Sequence, residues 1–366
     1  MVTIRRLIYR EVLLAVAFVA LGFLALFFFF DFVDELPEVT RGSGNYRITH
    51  AMLFVLLQVP NHLYELLPIA VLIGTIFVMA RLAQSSEYTI LRTSGLGPGR
   101  ALRSLLGLGV VFTLLTFAAG DYLAPAADRA GQMLKARYQG KLSIGQTGAW
   151  LKERQPERTY TVNVAALSPD GDLEGVRIFE SDLRGIMMSM VQARRAEFGE
   201  TSWILRDVER IEFRASESGA AVAAGQRQSR VEWPTSITPE MVSVALLKPE
   251  RMRTLDLFQY IRHLESNGQT SQRYEIEFWR KVFYPLSCLV MVVLALPFAY
   301  LHFRSGGITG YVFGGVLIGI SFFLLNNVFG YVGNLGNWLP WLTAAAPGLI
   351  YTLMSLGAFG WLVLRR

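Results

Sequence analysis

The chain has one cysteine, Cys288, and four histidines among its 366 residues. A single thiol cannot close a disulfide within the chain, and this one sits in an apolar run, so it says nothing about redox compartment. No stretch reads GxxxxGK[ST], which excludes the usual phosphate cradle of an ATPase. The tract 126–275 holds one histidine, His263, and no acid pair or Ser/His arrangement that stands out. That argues against a metal centre or histidine-based catalysis. Charge is missing over long stretches: 12–30, 104–120 and the 60 residues 305–364 contain no Asp, Glu, Lys or Arg.

What is present is apolar surface in excess. Hydrophobic residues make up 52% of the chain and mean hydropathy is +0.36, too apolar for an ordinary soluble domain and too polar for a wholly membrane-embedded one. A mixed protein is expected, with several spans and one water-exposed domain. The net charge of +6 does not indicate nucleic acid, because 126–275 is nearly balanced, with 21 Lys/Arg against 20 Asp/Glu. The excess sits at the ends of the apolar runs, where basic residues orient insertion toward the cytoplasm.

A span needs about 20 mostly apolar residues. On that measure the first three spans are 11–32, 51–80 and 101–123, and the last three are 278–302, 308–328 and 339–364. The first follows Arg5, Arg6 and Arg10; it is longer than a signal-peptide core and is read as retained. Pro60 and Pro68 should bend the second span, and Pro285 and Pro297 should interrupt the fourth. Both termini fall on the basic, cytoplasmic side. Between the halves lie short β-rich runs: 160–164, 176–179, 186–191, 203–205 and 211–213, with a turn signal at 168–171. These predict an antiparallel sandwich or roll. Thr254 is placed to cap a connector helix over 255–266, closed by Asn267-Gly268. The domains are therefore 1–125, 126–275 and 276–366.

The stretch 81–95, RLAQSSEYTILRTSG, is a charged island between two apolar runs. Leu82, Ala83, Ser86, Ile90 and Thr93 share one side on a helical period, and Gly95 is placed to end the helix. A short helix over about 82–94, lying across the cytoplasmic face with Glu87 on its flank, is the handle that a cytosolic partner could grip.

Two three-span halves around an exterior β domain, with an island reading Leu-Ala-Gln-Ser-Ser-Glu, resemble the lipopolysaccharide export permeases LptF/LptG, the G-type more than the F-type. The resemblance is carried by Phe32-Val-Asp-Glu-Leu36, Val59-Pro60, the residues 82–95, Gly148-Ala-Trp-Leu-Lys152 and the ten residues 278–287, and it covers essentially the whole chain. It implies a multi-pass protein of the bacterial inner membrane with a periplasmic β-jellyroll. The implied partners are an F-type permease, two copies of a cytosolic ATPase and a single-span bridge protein with its own periplasmic jellyroll. ATP and magnesium would be bound by the ATPase and no cofactor or metal by this chain. Lipopolysaccharide would enter between span 1 of one subunit and span 5 of the other.

Under that resemblance Leu82, Glu87, Tyr88, Ile90, Leu91 and Arg92 would contact the ATPase. Relatives carry lysines near the outer end of span 1, whereas this chain has Asp31, Asp34, Glu35 and Glu38. Asp34, Arg41, Lys135, Arg137, Arg280 and Lys281 are the expected lipid-headgroup contacts. Competing readings are the F-type paralogue, a lipid-acting enzyme built from His62, Glu65 and Asp121, and a scaffold or sensor without a bound ATPase.

Overall fold

The computed structural model describes residues 2–41, 46–85, 87–93, 97–139, 148–168, 172–199, 202–215, 221–239, 241–242, 249–300 and 308–361. Six helical segments among them are long and apolar enough to cross a membrane. Most of each falls in one of two compact units, which comprises Met1–Leu36, Val55–Asp128 and Gln272–Arg366.

The first two spans are single long helices, α1 (Val2–Arg41) and α2 (Ile48–Gln84), both reaching past the expected limits. Pro60 and Pro68 lie inside α2. The two helices touch closely: a Cβ on Gly74 would stand 2.7 Å from the Val16 backbone nitrogen. Ile8, Val12, Val16 and Ala20, one every four residues, are the buried apolar positions of α1, all in its first half. Beyond Ala20, Phe23 and Phe27 are only partly buried, against Leu66, Ile69 and Ile73 of α2.

The charged island is not one helix. α2 continues through Gln84, and a separate seven-residue α3 (Glu87–Thr93) follows. Ser85 turns the chain there, its hydroxyl donating to the Arg81 carbonyl at 3.1 Å. The expected helix over 82–94 is thus corrected: Leu82 belongs to the last turn of α2. Ser86 and Gly95 lie outside the described residues.

The third span begins with Pro98 in the first turn of α4 (Pro98–Ala118), passes through a π-helical turn at Ala119–Leu123, and continues as α5 (Ala124–Gln139). Helix therefore extends 16 residues past the expected exit at 123. The fourth span is α7 (Gln272–Phe283) and α8 (Ser287–Ala295), joined and followed by 3₁₀ turns at Tyr284–Leu286 and Leu296–Tyr300. Each turn contains one of the two expected prolines, which cannot donate to the α ladder. The last spans are α9 (Ile308–Leu335) and α10 (Pro340–Phe359). Gly315 and Gly319 let α9 approach α2, since Cβ atoms there would meet Ile76 and Ile69 at 2.7 and 2.8 Å.

The second unit comprises Pro37–Phe54 and Arg129–Ser271. Its centre is one six-stranded antiparallel sheet in sequential order: β1 (Ala149–Arg154), β2 (Arg158–Leu167), β3 (Leu173–Asp182), β4 (Met187–Phe198), β5 (Ser202–Ala215) and β6 (Ala221–Pro234). Leu151, Val162, Ile178 and Val191 stand in one cross-strand row, and Ala149, Val164, Val176, Ala193 and Val208 in the next. These rows line the buried face with Trp203 and Leu205. Two expected strands, 203–205 and 211–213, are one strand. Asp207 takes a positive φ of 52° and is skipped in pairing with both neighbours. The register is the same on both sides of Asp207, so no residue is inserted; the pleat is broken there, and the inward face moves from Trp203 and Leu205 to Val208, which broke the alternation in the sequence. At the β3–β4 turn Asp182 Oδ1 accepts from the Arg184 and Ile186 amides at 2.9 and 2.8 Å. Those amides, Ile186 first, hold its carboxyl below the ordinary aspartate range. Pro169, Asp170 and Gly171 of the expected turn at 168–171 lie outside the described residues.

The connector helix α6 (Thr254–Ser266) buries Leu257, Tyr260, Ile261 and Leu264. Arg253, not Thr254, is its N-cap, and no side chain caps the helix there. Gly268, with φ of +63°, and Asn267, whose amide donates to the His263 carbonyl at 2.8 Å, close its other end.

Candidate functional site

The apolar unit carries polar residues in two layers. In one, Arg81 meets Glu11 at 2.7 Å, joining the end of α2 to α1. In the other, His62 Nε2 meets Asp31 Oδ2 at 2.6 Å, joining the same two helices again, with Phe27 against the imidazole at 4.9 Å. Glu11 and Asp31 are 20 residues apart and His62 and Arg81 are 19, about 30 and 28 Å of helix. That matches the thickness of a bilayer's hydrocarbon core, about 30 Å. The two contacts thus stand about one hydrocarbon-core thickness apart along these helices.

The short helix α3 follows the Arg81 layer. Tyr88 of α3 is buried and packs edge-on against Tyr300 at 5.2 Å, at the end of the fourth span. Leu82 is also buried in the chain's own core. Both were expected to contact the ATPase; their side chains are buried in the chain's own core. Glu87 is exposed, as is Ile90. The side chains of Leu91 and Arg92 lie outside the described residues.

The Asp31 layer holds more. Glu65 accepts from Asn61 at 3.2 Å, and its backbone carbonyl accepts from the Tyr284 hydroxyl at 2.5 Å. Arg280 donates to Glu277 at 3.1 Å and to Asn327 at 2.7 Å, tying α7 to α9. Lys281 was expected among the headgroup contacts, but it is 6% exposed and its Nζ donates to the Gly120 carbonyl at 3.0 Å. Gly120 lies in the π turn, where backbone carbonyls lose their regular partners. A Cβ there would overlap the Tyr64 ring. Lys281 is thus a staple between the third and fourth spans, a role that its place among exposed-looking cations could not reveal.

Of the other expected headgroup contacts, Asp34 is exposed near the end of α1. Lys135 lies in the second unit with its ammonium 4.0 Å from the Phe54 ring. The side chains of Arg41 and Arg137 are outside the described residues. Among the described residues no group of three or more His, Cys, Asp or Glu could hold a metal ion.

A pattern of six apolar helices, two polar layers and a separate sheet unit describes a membrane protein without naming its family. The match that decides it is to the family described as lipopolysaccharide export system permease LptF/LptG, over residues 6–365. The chain belongs to that family. Among similar LptF/LptG proteins is the lipopolysaccharide export system permease protein LptG of Escherichia coli K12, 28% identical over 339 residues, covering 92% of this chain and 90% of that one. LptG of Haemophilus influenzae is 25% identical over 368 residues, covering 100% and 99%. The family is one of multi-pass membrane subunits of an export system, and the six apolar helices fit it.

Proposed function

We propose that the chain is the G-type permease of a lipopolysaccharide export complex, converting motion received from an ATPase into extraction of the lipid from the inner membrane. The observation that carries this is the family match over nearly the whole chain, together with two long relatives both named LptG. Neither the F-type nor the scaffold reading has an observation in its favour. The Arg81 layer is the cytoplasmic face, because Arg5, Arg6, Arg10, Arg81, Arg100 and Arg103 gather at that end. The Asp31 layer is then the periplasmic boundary, three spans lie on each side of the sheet unit, and both termini are cytoplasmic. The sheet unit is the periplasmic jellyroll-type domain of the family. Its antiparallel meander, with one apolar face, is consistent with a roll that shelters acyl chains from water.

The chain works with an F-type sister, two ATPase copies and a bridge protein, and leaves nucleotide and magnesium to the ATPase. α3 is the coupling element. Tyr88 fixes it to the fourth span, while Glu87 and Ile90 face the ATPase. Asp34, Arg41, Lys135, Arg137 and Arg280 remain the proposed headgroup contacts, with Lys281 withdrawn from that role by its bond to Gly120.

The test is Glu87→Lys combined with Ile90→Asp. The variant should reach the membrane at normal level, lose co-purifying ATPase and lose lipid extraction in proteoliposomes. Full ATPase retention with full extraction would defeat the proposal for α3. Loss of extraction with the ATPase still bound would leave the handle elsewhere.

A further inference from the structure

The buried face of the sheet is full. Leu151, Val162, Val164, Val176, Ala193 and Leu205 are each 1% exposed or less. Besides strand residues, the cluster that covers them draws on Ile237, Met241 and Val242, from the chain just after β6. Ile237 and Val242 are 1% and 0% exposed. An acyl chain lying along this face, as proposed above, needs the room that they fill. Something must therefore move, and the two layers are held very differently.

The strands are joined by backbone ladders that run without a gap from β1 to β6, so parting them breaks many bonds at once. The segment after β6 lies outside those ladders and is tied to the sheet at two points. At one, the Glu153 carboxylate of β1 accepts from the Thr235 hydroxyl, from the Ser236 amide at 2.8 Å and from the Ser236 hydroxyl at 2.9 Å. At the other, the Trp203 indole donates to the Ile237 carbonyl at 2.7 Å. Beyond Ile237 the segment turns on itself: Thr238 accepts from the Val242 amide at 3.1 Å and the Met241 amide at 3.3 Å. Glu153 is a poor permanent anchor. It is 5% exposed, and among the described residues no Lys or Arg pairs with it. A buried carboxylate answered only by neutral donors is under-compensated. When the segment leaves, water returns to Glu153 and offsets part of the bonds lost. The apolar side offsets itself, because acyl methylenes take the places of Ile237 and Val242.

We infer that the segment carrying Ile237 and Val242 is a lid over an acyl-chain groove on the sheet, latched by Glu153 and displaced when lipid enters. The inference rests on the permease reading for the lipid, and on the sheet unit alone for the geometry.

The first test is hydrogen exchange in the full chain assembled with its partner subunits, with and without lipid A in detergent micelles. Lipid A should speed exchange of the Ile237 and Val242 amides about tenfold and leave the β3 amides unchanged. Unchanged exchange at 237 and 242 overturns the lid, and so does equal acceleration in β3, since the sheet itself then opens. Glu153→Ala should speed the same two amides without lipid; exchange as slow as in the parent chain overturns the latch. The second test is a reversible lock. Glu153→Cys with Ser236→Cys places two thiols where a carboxylate and a hydroxyl now touch, and a short cleavable thiol reagent bridges them. Cys288, the one native cysteine, is 0% exposed and stays silent. The bridged complex should transfer lipopolysaccharide about tenfold more slowly than before bridging and recover on cleavage. Undiminished transfer through the bridged protein overturns the lid. A parent complex that extracts no lipid at all would instead defeat the permease reading, while the exchange response to lipid A, which needs no transport, still decides the lid.

Discussion

Lys281→Met separates two roles that the sequence leaves together. The methionine keeps most of the lysine's length and its apolar stem while removing the ammonium. If Lys281 is a staple, the Gly120 carbonyl loses a charged donor at 3.0 Å inside a region where the lysine is 6% exposed. A hydrogen bond to a charged group contributes about 1.5–3 kcal/mol, and little water reaches this carbonyl to replace it. At about 2 °C per kcal/mol, the lower end of the range for larger domains, the assembled protein should lose about 3 °C or more in thermal unfolding. Arg280→Met, which removes pairings to Glu277 and Asn327 at a less buried site, should cost less. The assay is a thermal unfolding curve of the purified complex in nanodiscs, run beside lipid extraction by the same samples. An unchanged melting temperature with abolished extraction would refute the staple and return Lys281 to the lipid phosphates.

Gly74→Ala should destabilise the membrane unit by about 1–3 kcal/mol, because its methyl group would press on the Val16 backbone rather than on a movable side chain. Gly22→Ala, which meets nothing within 4 Å, should be neutral or mildly stabilising in the same unfolding assay. A double-mutant cycle of Asp31→Asn and His62→Gln should show a coupling of about 0.5–3 kcal/mol, and additivity of the two would mean that the 2.6 Å pair holds nothing. Burial pushes the His263 imidazole below its ordinary value. The unfolded chain then binds the extra proton first as pH falls through about 6.5, so the sheet unit should lose stability on acidification and keep it above pH 7. His263→Gln should flatten that part of the pH–stability profile, as followed by hydrogen exchange of α6 amides.

Local chemistry was enough for what local chemistry causes. Uncharged runs fixed six spans because a bilayer tolerates neither exposed charge nor unpaired backbone. Pro285 and Pro297 fixed the two breaks in the fourth span, since a missing amide acts wherever its neighbours lie. Asn267-Gly268 fixed the end of α6 for a similar reason: Gly268 relieves the strain of a positive φ. The family was legible because order and spacing over the whole chain carried it.

Tertiary packing decided what depends on a partner far along the chain. Lys281 and Gly120 are 161 residues apart, so nothing near either one announces that a lysine at a membrane boundary turns inward. Tyr88 stands one residue from the exposed Glu87 and two from the exposed Ile90, yet it is buried against Tyr300, 212 residues away. The strand β5 read as two because the break in its pleat at Asp207, where φ is positive, makes sense only beside β4 and β6, whose pairing runs on in one register. Helix periodicity tells which side chains share a face. It does not tell which face meets protein, lipid or water, because in an apolar slab all three choices can satisfy the same residues.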